Sequence, residues 1–415
     1  MQFAMTLGLL CVMTLVVSHA WAEPPEKTCE ASVPIRAITM GPKAHWFGYY
    51  DKLQFDPSER YVLAMEVDFE DRGPTPDDTI RLGMIDLEDN DRWIELATTH
   101  AWCWQQGCML QWLPGSNTEV IYNDRQDGQF VSVIQDVFTG EKRVLPRPVY
   151  SVSPTGKQAV GANFSRIDET RPGYGYAGVP DPWVDDIHPA EDGVYVLDLE
   201  TGESRTLFSY AEIAAFPPAK ETGGKHWVNH LLFNTDGSRF IFLHRWKRSP
   251  EEGAWWTRMF TAAPDGTGLH CVADHGMVSH FIWRNPKEIL AWSTEPEPGD
   301  RFHLYEDQTE NTSIIGDGVL THDGHCTYSP DGEWVLTDGY PGKDRMQPVM
   351  LYRPADGRLV NLGRFYLAPV SEAQLRCDLH PRWNRAGTHI CIDSKHSGQR
   401  QVYVLDVSEV LKGEG

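Results

Sequence analysis

Short apolar runs broken by turn residues repeat along the chain. "RYVLAMEV", "EVIYNDR", "QAVGANF", "RFIFLHRW", "EILAWS", "EWVLTDG" and "HICIDS" are seven of them. Each has the length and the Val, Ile, Leu and aromatic content of a strand. No long stretch keeps the period of about 3.6 residues that an amphipathic helix requires. Further runs follow with Asp-, Thr- and Gly-rich turns, among them "VIQDVFTGE", "VYVLDLETGE" and "LYRPADGR". The pattern predicts an all-β protein.

A frame recurs just ahead of the seven runs. Its clearest copy is "HCTYSPDG", from His325. "HLLFNTDG" from His230, "HFIWRNPK" from His280 and "HPRWNRAG" from His380 repeat it; weaker copies start at Lys52, Met109 and Val149. Strand, turn, strand, loop, strand at near-regular spacing is the signature of propeller blades, so seven units predict a seven-bladed β-propeller. The long interval between the third and fourth frames carries a Gly/Pro-rich insertion, about residues 165–192, with "RPGYGYAG" inside it. Such excursions form loops on one face. Residues 32–39, "SVPIRAIT", read as a strand that completes the last blade and closes the ring.

The first strand of each blade lines the central channel. It begins on the face where the loop after the second strand emerges. The frame-start histidines of blades four to seven, His230, His280, His325 and His380, are therefore expected at one mouth. Blades one to three carry Lys52, Met109 and Val149 there, an asymmetry that neutral copying of a repeat does not explain. Imidazoles joined by a carboxylate or amide suit a divalent Zn, Mn, Fe or Ni ion. His280, His325 and His380 come from adjacent blades and form the favoured metal trio, with Gln374 and Asp378 as candidate oxygen ligands. Without a metal, the same rings would hydrogen-bond substrate hydroxyls.

"HWFGYYDK" and "AWCWQQGCMLQW" place Trp46, Tyr50, Gln105 and Gln106 just before the first two frames. Aromatic faces stack on sugar rings and amides bridge hydroxyls. Arg125, Arg166 and His244 stand at the ends of second strands, and Arg382 follows His380; they complete the candidate substrate-binding set. Arg245 is suited to gripping a carboxylate. His230 or His226, in "KHWVNHLLF", is the candidate base, with Tyr174 or His45 assisting a leaving group. Asp338 and Asp393 are the carboxylate pair that a metal-free glycoside hydrolase would use instead.

A net charge of −22 excludes nucleic acid and anionic membrane as partners, but not a small acidic ligand held by local cations. At the N-terminus an apolar run ends in Ala20-Trp21-Ala22, which reads as a signal peptide over 1–22. The remainder, 23–415, is expected to be one exported, monomeric propeller domain, periplasmic or extracellular, with no membrane span. Beyond Cys11 seven cysteines remain, an odd number, with Cys103 and Cys108 close enough to pair locally.

Taken together, the "YSPDG"-type frames resemble the repeats of TolB-like propellers. "CDLHPRWNRAG" (377–387) and "KHWVNHLLF" (225–233) narrow the resemblance to oligogalacturonate lyases over about residues 225–410. That resemblance implies metal-assisted β-elimination on a uronate-containing oligosaccharide and a manganese ion held by three His and one Gln. It maps metal positions onto His280, His380 and, at a further remove, His325. A catalytic or substrate-binding histidine falls on His230 or His226. The family's paired His and upstream Gln around the late "HP" are not reproduced, since Gln374 and Asp378 stand there. The fourth ligand and the metal's identity stay open. A non-catalytic TolB-like propeller that binds protein or glycan is the alternative.

Overall fold

The computed structural model describes residues 27–218, 223–247 and 254–412. The expected signal segment 1–22 and Cys11 lie outside the described residues.

Seven antiparallel sheets follow one another along the chain. Their inner strands are Ala44–Trp46, Gln111–Trp112, Ser151–Val152, His226–Phe233, Val278–Trp283, Cys326–Tyr328 and Arg382–Trp383. This is the seven-bladed β-propeller that the repeat predicts. Second strands such as Phe240–Trp246 are buried along their whole length because neighbouring blades cover both faces. That is why these runs read as continuously apolar rather than alternating.

The core accordingly lies between blades. Trp46, Trp102, Trp104 and Trp112 fill the space between blades one and two. Phe55, Val62, Cys391 and Val402 seal blade one against blade seven. Ring closure is double. Ile35–Ala37 pairs with the last strand, Gln401–Asp406, as the outer strand of blade seven. Cys29–Ala31, which the sequence reading had not picked out, pairs with Arg358–Tyr366 as a fifth strand of blade six.

Blade one departs from the sequence reading. Its inner strand is Ala44–Trp46, ahead of the frame at Lys52, and Phe55 bridges to Val62 further on. "FGYYDK" therefore interrupts the inner strand rather than preceding it. Gly48 lies at φ +97°, and a Cβ there would come within 2.9 Å of the Gln106 backbone, so only glycine lets this segment pass the "WQQG" segment so closely. The insertion contains the short helix Phe164–Thr170, capped by Asn163. It is clamped by fully buried Arg166, which binds Asp181 and the carbonyls of Trp183, Asp186 and Ile187. All seven described cysteines are free, Cys103 and Cys108 included.

Candidate functional site

The frame-start residues Met109, His230 and His380 have φ of 59°, 52° and 43°. Blade four shifts register between Asn229 and Leu232, and blade five between Val278 and Phe281. An extra residue in one strand bends it and re-aims its side chains. Here the bulges turn the histidines toward the channel.

The four rings meet there. His325 lies with its centroid 4.0 Å from that of His280 and 4.2 Å from that of His380. Tyr49 and Tyr50, from the interrupting segment of blade one, fill the channel beneath them. Tyr49 stacks on His230 at 5.1 Å and meets His380 at 5.2 Å, while Tyr50 meets His325 at 5.3 Å. Tyr174 reaches His230 from the insertion, at 5.6 Å.

Carboxylates fix two of the rings. Asp323 accepts from His280 Nδ1 at 2.9 Å and from Ser279. Asp338 accepts from the Nδ1 and backbone N–H of His325, at 2.9 and 2.8 Å, and from the backbone N–H of His380. Burial lowers the pKa of His280, with Asp323 opposing. Burial also works against protonated His325, yet Asp338 prevails and its pKa is raised. His380 is held well below the usual range by burial and by neighbouring cations. The same holds for His230, where Arg171 is the leading charge.

His325, Asp378 and His380 bring ligand atoms within 4.8 Å of one another. Nε2 of both His325 and His380 is buried without a hydrogen-bond partner among the described residues. Two orphaned imidazole nitrogens beside a carboxylate, one ring held from behind by Asp338, are what a divalent ion needs. The residues fit a metal. The set differs from the expected trio: Asp378 is in it, His280 is not, and Gln374 bonds Glu372 instead. Asp378 also receives both arms of Arg376, at 2.5 and 2.8 Å.

Arg171 and Arg245 both lie against the Trp255 ring, at 5.0 and 5.9 Å from its centroid. Arg171 also lies 3.9 Å over Tyr174, and its Nη1 is buried without a partner among the described residues. Arg245 is 2% exposed and bonds Thr257, Asn229 and the Val278 carbonyl. Neither arginine has a carboxylate partner among the described residues.

Other sequence candidates lie elsewhere. His45 is held by Glu66 and Gln401. Trp46 packs on Trp102 and Trp104. His226 and His244 hydrogen-bond at 2.8 Å and stack with Trp246 inside blade four. Arg125 bonds the Pro76 carbonyl, and Gln105 the carbonyls of Gln374 and Arg376. Arg382 ties Asp393 to Gln54 and to the carbonyls of Gly48 and His380. Asp393 also caps Phe47 and Gly48, and Asp338 is spent on His325 and His380, so the two carboxylates are committed inside the fold. Gln106 and Tyr50 do reach the cluster. Tyr49, Asp323, Arg171 and Trp255 were not singled out from sequence.

No protein-family model matches the chain, and no curated protein matches it in sequence. Solved structures give the class, a seven-bladed β-propeller. Among them an oligogalacturonate lyase from Vibrio parahaemolyticus matches with TM-score 0.64 at 14% identity, over 92% of this chain and 96% of that one. An oligogalacturonate lyase in complex with manganese matches with TM-score 0.65 at 16% identity, over 92% and 95%. The tricorn protease also matches, with TM-score 0.51 at 11% identity, over 89% of this chain and 35% of that one. These likenesses show the fold; proteins of different activity share it.

Proposed function

We propose that the protein is an exported lyase that cleaves a uronate-containing oligosaccharide by β-elimination. The observation that carries this reading is the pair Arg171 and Arg245, without carboxylate partners among the described residues, against one tryptophan ring beside the histidine cluster. Cations desolvated in this way bind an anion. A uronate carboxylate on Arg171 and Arg245 would have its charge neutralised, which acidifies the C5 proton. Trp255 and Tyr174 offer ring faces to the sugar. His280 donates Nδ1–H to Asp323, so its Nε2 carries a lone pair suited to taking that proton. The C5–H electron pair forms the C4–C5 double bond, the C4–O4 bond breaks, and O4 leaves with a proton.

A divalent metal would be held by His325, His380 and Asp378. When bound it supplies positive charge to stabilise the carboxylate as electron density builds on it. Manganese is the choice by analogy with the lyase solved with that ion, and the donor set also suits zinc. The leader expected over 1–22 supports a place in the periplasm or the extracellular space.

The test is ultraviolet absorbance of the unsaturated product across a panel of uronate oligosaccharides, with and without chelator and beside Arg171→Ala. A rise lost in Arg171→Ala supports the reading. A flat trace with every uronate, from folded and metal-loaded protein, moves the assignment to a binding propeller.

A further inference from the structure

Nδ1 of His230 has two polar neighbours, the Tyr49 hydroxyl at 2.7 Å and Gln106 Nε2 at 3.3 Å. An amide nitrogen donates and does not accept. Its orientation is set from behind, where the Tyr150 hydroxyl donates to Gln106 Oε1 at 2.7 Å. Tyr150, Gln106 and His230 thus form one chain of contacts. Its members are sealed from water: Tyr150 is 0% exposed, Gln106 1% and His230 4%. Turning the amide over would set its oxygen against the lone pair of Nδ1.

We propose that Gln106 and Tyr150 are positioning residues that hold His230 as the neutral Nε2–H tautomer, so that it serves as proton donor to the leaving oxygen and not as the base. Nδ1 has its lone pair occupied by donors, and Nε2 bears the ring's single proton. As O4 departs, Nε2 gives up its proton and Nδ1 takes the Tyr49 proton, so no imidazolate forms. Tyr49 is left as phenolate; as product leaves, Nδ1 returns that proton to Tyr49 and Nε2 takes up the proton that His280 took from C5, which restores the resting tautomer. The balance closes with no outside oxidant or reductant. The catalytic consequence rests on the elimination reading above; the tautomer is a property of the resting protein.

The experiment uses the full chain labelled with 15N-histidine and two-bond 1H–15N spectra without substrate. His230→Gln identifies the signal by its loss. The expected pattern is Nε2–H with bare Nδ1. Gln106→Glu replaces the donor with an acceptor and is expected to swap the pattern to Nδ1–H. On a cleaved substrate it should lower kcat by about 10²-fold, the lower end of what general acid catalysis supplies, with KM nearly unchanged. Tyr150→Phe, a milder change, releases the amide and should give a mixture of both tautomers. A wild-type Nδ1–H pattern, or a pattern that neither variant alters, overturns the proposal. The expected tautomers in a protein that cleaves no uronate would leave the positioning intact and sink the elimination reading alone.

Discussion

At the scale of single residues, the proposed reading puts anion binding and metal binding on separate side chains, so each should be removable alone. Arg171→Ala should lower kcat/KM on a uronate oligosaccharide by about 10²-fold, and Arg171→Lys should restore part of it, because lysine keeps the charge and loses the planar fork. Steady-state kinetics on the three proteins checks this. His380→Ala should lose bound metal while His280→Ala keeps it, since His325, Asp378 and His380 form the compact set. Metal analysis of the purified proteins reads the difference without any activity assay. The four histidines were legible because their asymmetry across blades shows in one sequence. Asp323 stood in the same stretch, "THDGHCTYSPDG", yet nothing in its spacing says that it reaches back to His280 in the preceding blade. Arg171 was hidden for a like reason: the insertion folds over the mouth, and a Gly/Pro-rich loop has no periodicity from which to read a direction.

At the scale of elements, inner strands were legible wherever the frame was regular and misread where it was interrupted. Blade one shows the cost, because its strand at Ala44–Trp46 precedes the frame and the intervening tyrosines turn inward. Strand position alone predicts His226 and His244 at the mouth; their stack with Trp246 shows them as packing within blade four. Such buried histidines make stability depend on pH. Burial lowers the pKa of His226 to about 3 and that of His396 to about 4, from an ordinary value of 6.5. Between those values the unfolded chain binds more protons, so stability rises with pH. The contribution is complete above about 6.5 and is lost as pH falls toward 4. Urea midpoints at pH 7 and pH 4.5 should differ in that direction, and His396→Gln should shrink the difference. The outer strands offer a second check. Deleting residues through Ala37 strips an edge from blades six and seven, and the thermal midpoint should fall by at least about 5 °C.

At the scale of the whole molecule, a net charge of −22 would face the proposed anionic substrate. Long-range repulsion opposes encounter, while the arginine contacts act at short range inside the site. Salt screens the first far more than the second. KM for a uronate oligosaccharide should therefore fall as ionic strength rises from about 0.01 to 0.15 M. An increase would mean that the local arginine field dominates approach. The seven-unit count and ring closure could be read from periodicity alone. The depth of the two tyrosines in the channel could not, because it depends on where blade one breaks.

The double closure sets an order of events during synthesis. Blades one to five are each built from contiguous sequence and can form as the chain emerges. Blades six and seven wait, because their outermost strands were made first and their partners near Phe365 and Leu405 come last. The N-terminal residues must stay unpaired through most of translation and dock only when the end of the chain arrives. A chain ending before residue 401 has every strand of blade six but lacks the Gln401–Asp406 partner of Ile35–Ala37, so its seam at blade seven would stay open and its histidine mouth would lack His380 in its final place.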